Sequence, residues 1–153
     1  MSDTGPGHSA RIVVGIDGSP GSLHALSWAG REARLRNATL EVVAAWTYPT
    51  PVLLVPVAPD PPQVKTLRKH AREMIEHALE KVADDVDGVD VDLRVVEGDT
   101  SAVLLERAKG ADLLVVGSRG LGGFRGLLLG SVSQQCVQHA ISPVVVVPSP
   151  DES

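Results

Sequence analysis

The feature that most restricts how this chain can fold is an alternation of short runs rich in Val, Ile and Leu with stretches of helical spacing. Arg11 to Ile16 is the first such run, and Asp17-Gly18 stops it, as at the end of a buried strand. Ser19 can cap a helix, Pro20 suits its first turn, and Leu23, Leu26, Gly30 and Ala33 recur at helical spacing up to Asn37. Thr39 to Trp46 reads as strand two. From Gln63 to about Asp85, Leu67, Ala71, Met74, Ala78 and Val82 form one apolar stripe, as on a helix covering a sheet.

Val89 to Val96 alternates with Asp90, Asp92 and Arg94, which predicts a sheet edge wet on one side. A short helix over Ser101 to Lys109, a doubly buried strand over Asp112 to Val116, a helix from Ser131 to about Ala140 and a strand over Val144 to Val147 complete the series. Strict alternation predicts a doubly wound, Rossmann-like parallel sheet of five strands with helices on both faces and right-handed crossovers. In such folds ligands bind beyond the carboxyl ends of the strands, so the chemistry belongs in the loops after strands one, two and four.

At 153 residues the chain suits one domain. Residues 11–148 carry the pattern, while 1–10 and 149–153 read as flexible tails. Aromatics make up only 3 % of the residues, so Val, Leu, Ala and Ile must fill the core. Residues 47–62 hold six of the eleven prolines and read as a long connection that excludes regular helix.

The formal charge of −5 offers no basic field for a nucleic acid. No apolar stretch resembles a signal peptide or a membrane helix, and the single cysteine, Cys136, fits a reducing compartment, so a cytoplasmic chain is expected. Inside the last helix, Cys136 suits a small buried hydrophobe better than a reactive thiol. His70 and His77, two helical turns and so about 10 Å apart, are too distant to share a metal.

After strand four the chain is dense in glycine from Gly117 to Ser133, where a helix begins. Glycines let backbone N–H groups approach an anion, and a helix N-terminus adds free donors with a favourable dipole. Ser131 and Ser133 can add hydroxyls, and Arg119 or Arg125 charge. No Gly-Lys-Ser/Thr occurs, so this is not a Walker A loop. Asp17, at the end of strand one and beside Gly117, could bond a ribose hydroxyl or hold magnesium through water; alternatively it forms an Asx turn with Gly18 or caps the helix with Ser19.

Gly117-x-x-Gly120, nine residues, then Gly130-Ser131 resembles the G-2x-G-9x-G-S/T pattern of the ATP-binding branch of the universal stress protein family. Val14 to Ser19 and Ser142 to Pro148 resemble it too. The resemblance implies the strand order 3-2-1-4-5 and ATP, with magnesium held mainly by its phosphates. Ala45 would meet the adenine; Gly15, Ile16 and Asp17 would lie near adenine and ribose. Gly117, Arg119, Gly120, Gly130, Ser131, Val132 and Ser133 would hold the phosphates. It further implies a homodimer through Val144 to Val147.

These features point to a nucleotide-dependent stress-response regulator. Cyclic AMP is a competing ligand. A slow ATPase or nucleotidyl-transfer enzyme is a competing activity, although no Walker lysine or clear base supports turnover. A third reading is a nucleotide-independent interaction module presenting residues 47–62.

Overall fold

A computed structural model describes residues 9–48, 60–120 and 129–149. Most of the proline-rich connection, the middle of the glycine-rich segment and nearly all of both tails lie outside these residues. β1 (Arg11–Gly15), β2 (Thr39–Trp46), β3 (Val91–Glu97), β4 (Leu113–Gly117) and β5 (Val144–Val147) form one sheet. Its order is β3-β2-β1-β4-β5, and every pairing is parallel.

Between the strands run α1 (Pro20–Arg36), α2 (Pro61–Lys81), the short α3 (Ala83–Val86), α4 (Thr100–Arg107) and α5 (Ser131–His139). Strand residues alternate between the sheet's faces. Ile12, Val14, Leu40, Val42, Ala44, Leu113 and Val115 pack on one side with α1 and α2. Val13, Val43, Leu114 and Val116 pack on the other, with Val103 and Leu104 of α4 and Cys136 of α5. Two covered faces explain why β1 and β4 read as continuous apolar runs. The edge strands β3 and β5 are only partly buried.

Ser19 caps α1 by accepting from the Ser22 N–H, and Asn37 ends it in a left-handed conformation at φ 53°. Three readings of α2 need correction. It opens at Pro61, not after Pro62, because a first-turn proline lacks an N–H that the helix does not use. It stops at Lys81, and α3 follows as a separate turn. Its most deeply buried side chain is Ile75, which the predicted stripe omitted. Gly30 of α1 makes room for α3: a Cβ there would stand 2.8 Å from Val86 Cγ1 and 2.9 Å from the Asp85 carbonyl oxygen.

Among the described residues, one charged side chain is buried. Glu41 on β2 is 2 % exposed and accepts from Arg107 Nε at 2.6 Å and Arg11 Nη1 at 3.2 Å. Donating this hydrogen bond to Glu41 raises the Arg107 pKa above its ordinary value. Arg11 also donates to the carbonyls of Arg107 and Lys109, satisfying the carboxyl end of α4. The carboxylate is thus doubly paired, as a buried charge must be.

Candidate functional site

The carboxyl ends of β1, β2 and β4 meet where the strand order reverses direction from β1, the position at which an open parallel sheet leaves a crevice. Beyond β1, the Ile16 N–H donates to the Val43 carbonyl at 2.9 Å. β2 then continues through Ala44, Ala45 and Trp46. Backbone groups alternate sides along a strand, so Ala45, two residues past Val43, presents its N–H and C=O towards β1 beyond the last rung of that ladder. A ring edge could read a donor and an acceptor there.

Asp17 follows Ile16. Its Oδ1 accepts from the Ser19 N–H at 2.9 Å and from the Ser19 hydroxyl, forming the Asx turn that begins α1. The other oxygen, Oδ2, abuts Gly120, occupying the space where a Cβ would be. Asp17 therefore joins the β1 turn to the segment after β4. Gly18 adopts φ +85° and lies against Met74 of α2, which favours glycine there for both conformation and space.

The two described ends of the glycine-rich segment are fastened together. The Gly130 N–H donates to the Ser118 carbonyl at 2.7 Å, and the Ser133 hydroxyl reaches the carbonyl oxygens of Ser118 at 2.8 Å and Gly130 at 3.1 Å. Ser133 is 2 % exposed, so its hydroxyl serves this closure. Ser131 is exposed, and Gly130 begins α5 without a side-chain cap. The first-turn N–H groups of Ser131, Val132 and Ser133 precede the helix's own acceptors and are the donors that a helix offers to an anion.

The glycines of this site are needed for space. Among the described glycines, positive φ occurs at Gly18, Gly88, Gly98 and Gly110, but not at Gly15, Gly117, Gly120 or Gly130. A Cβ on Gly117 would stand 2.8 Å from both C and O of Gly21, so the end of β4 presses on the first turn of α1. One on Gly15 would stand 2.7 Å from Leu104 Cδ1 of α4. One on Gly130 would meet Arg119 Cα at 3.3 Å and the Gly120 nitrogen at 3.5 Å. Arg119 thus lies in the wall of the closed segment, next to Gly130.

The structure brings Gly15, Ile16, Asp17 and Ala45 to one side of the crevice, and Gly117, Arg119, Gly120, Gly130, Ser131, Val132 and Ser133 to the other. Arg125 lies outside the described residues. Sequence reasoning missed Trp46, which is 7 % exposed beside Ala45, with the Arg68 guanidinium 5.8 Å above its ring. Its indole N–H has no acceptor among the described residues. An aromatic ending β2 in a chain so poor in aromatics was the available signal.

Comparison with known proteins gives these features a context. The universal stress protein family matches residues 9–148. A universal stress protein of Mycolicibacterium smegmatis is 37 % identical over 142 residues, covering 92 % of this chain and 47 % of that protein. One from Mycobacterium tuberculosis is 35 % identical over 146 residues, covering 94 % and 49 %. This chain therefore spans about half the length of these relatives. Among solved structures, a universal stress protein in complex with cyclic AMP superposes with a TM-score of 0.64 at 30 % identity, covering 92 % of this chain and 98 % of that one. The fold also matches UspA of Lactobacillus plantarum, with a TM-score of 0.73 at 23 % identity and coverage of 92 % and 98 %.

Proposed function

This chain belongs to the universal stress protein family, and on that premise we propose that it binds ATP in the crevice between Asp17 and the Gly117 to Ser133 segment and acts as a nucleotide-dependent regulator of a stress response. The observation that carries this reading is the closure of the segment at Ser118, Gly130 and Ser133, which holds the N-terminus of α5 next to Gly120, against which Asp17 packs. The groups suit a nucleotide's parts: donor and acceptor for the base at Ala45, a carboxylate for the ribose at Asp17, and backbone N–H groups of Ser131, Val132 and Ser133 for the phosphates. Arg119 and the Ser131 hydroxyl would add to the phosphate contacts. Magnesium would travel with the phosphates, and Asp17 could reach it through water.

The chain holds the nucleotide more than it turns it over, because no lysine stands where a Walker loop would place one against the terminal phosphate. The relative in complex with cyclic AMP supports a nucleotide in general and makes that ligand the direct competitor. No helix among the described residues is long and apolar enough to cross a membrane. The proposed cytoplasmic location rests on the single cysteine, Cys136, a free thiol that suits a reducing compartment. A homodimer through β5 is supported by that strand's position at the sheet edge, with Val137 49 % and Ile141 81 % exposed near it.

Calorimetric titration of nucleotide-stripped protein with ATP, ADP and cyclic AMP, with and without magnesium, tests the reading. Saturable heat with ATP that competes with the other two is the expected result. No heat at millimolar ATP refutes binding, and tighter binding of cyclic AMP moves the assignment to that ligand.

A further inference from the structure

The outward face of α2 carries a charge pattern that the nucleotide site does not use. Lys65, Lys69 and Arg72 are followed by Glu73, Glu76 and Glu80, and all six are exposed. At 100° per residue they fall within an arc of about 100°, away from the buried Ala71, Ile75 and Ala78. No acid occurs in the first turn, and the first one within the helix is Glu73. The cations of this face thus fall in the amino-terminal half of the helix and the acids in its carboxyl-terminal half, with Asp60 at the N-cap and Lys81 in the last turn meeting the helix dipole instead. Within this face only Arg72 and Glu76 approach each other, at 3.8 Å, among the described residues.

The six positions are symmetric about the midpoint between Arg72 and Glu73. We propose that α2 is a self-complementary docking surface for a second copy of this chain. Two α2 helices laid antiparallel about a two-fold axis at that midpoint place Lys65 opposite Glu80, Lys69 opposite Glu76 and Arg72 opposite Glu73, each pair occurring twice. The antiparallel arrangement also sets each helix dipole against the opposite end of the other. A long polyanion or an anionic membrane fits less well, because the acidic half of the same stripe and the net charge of −5 repel it. Arg68 is not part of the contact, being turned over Trp46. Contact through one charged helix face is small and mostly exposed, so the association is weak and labile to salt. It leaves β5 open, since α2 covers the β2–β3 side of the sheet.

Sedimentation equilibrium of the whole chain at about 0.02 M and about 0.5 M salt tests the proposal, because the Debye length shortens severalfold across that range. The association present only at low salt belongs to α2; whatever persists at high salt belongs to other surfaces. Lys69→Glu turns two symmetric attractions into repulsions and should weaken the salt-labile step about tenfold. Adding Glu76→Lys to the same chain should restore it, whereas adding Glu80→Lys instead should not. Both double variants keep the net charge of the parent chain, and circular dichroism confirms that α2 remains folded. Absence of salt-labile association in the parent chain, no weakening by Lys69→Glu, or equal behaviour of the two double variants overturns the proposal.

Discussion

If the site glycines are present for space within the protein, their alanine variants should rank by what the added methyl meets. Gly117→Ala places a Cβ 2.8 Å from two backbone atoms of Gly21 and 3.3 Å from the Ser22 nitrogen, so β4 and the start of α1 must separate. Overpacking of this kind costs about 1–3 kcal/mol, and the reduced freedom of the unfolded chain returns about 0.4–1 kcal/mol. We expect a net loss of about 1–2 kcal/mol, or about 2–8 °C in Tm for a domain of this size. Gly130→Ala meets its nearest atom at 3.3 Å and needs a shift of only a few tenths of an ångström. Its net loss should stay below about 1 kcal/mol, most of it from the poorer N-cap. In Gly120→Ala the methyl meets the Asp17 carboxylate, a side chain that can rotate once it leaves Ser19. The stability loss should be intermediate and should shrink when Asp17→Ala is added. Urea unfolding with shared m-values measures all of these. Equal losses at Gly117 and Gly130, or unchanged stability in all three with nucleotide affinity lost, would refute the reasoning and show that the space serves the ligand alone.

Glu41→Ala should destabilise by about 1–3 kcal/mol in the same assay, because half-buried Arg11 and Arg107 lose their shared acceptor, and a Glu41→Leu loss below about 1 kcal/mol would contradict a net contribution from these ion pairs. Burial raises the Cys136 thiol to a pKa of about 11. At pH 8 the native thiolate fraction is then about two hundred times below that of an unfolded cysteine, so thiol labelling should be slower in native protein by at least that factor and should speed up as pH rises towards 11. Labelling of native and urea-unfolded protein at equal rates would contradict it.

The strands were legible because each face of the sheet selects one parity of residue, and β1 and β4, covered on both faces, show unbroken apolar runs that no helix of that length would require. Glu41 was not legible. One acid within a run suggests solvent, and its partners stand 30 and 66 residues away in sequence, so only the folded chain reveals that its charge is satisfied. Pro61 and Pro62 were read through the general rule against proline in helices, whereas their position in the first turn reverses that rule. At the site, the nine-residue spacing marked Gly120 and Gly130, but the reason for each glycine depends on a contact made by tertiary packing. Neither Asp17 beside Gly120 nor Gly21 beside Gly117 can be inferred from the loop itself.

The same contacts bear on how a nucleotide would be held. Ser118 accepts from Gly130 and Ser133, and Asp17 fits against Gly120, all contacts of the chain with itself. A helix N-terminus already set in place does not have to be ordered by the anion, so less interaction energy is consumed on binding. Ser133 makes this division of labour testable: its hydroxyl points at carbonyls, whereas that of Ser131 is exposed. On the proposed reading, Ser133→Ala should weaken ATP indirectly, with a matching loss of stability, while Ser131→Ala should weaken ATP with stability nearly unchanged. Calorimetry and urea unfolding on the two variants would separate closure of the segment from contact with phosphate, and the opposite pairing of effects would mean that Ser133 turns to the ligand when it arrives.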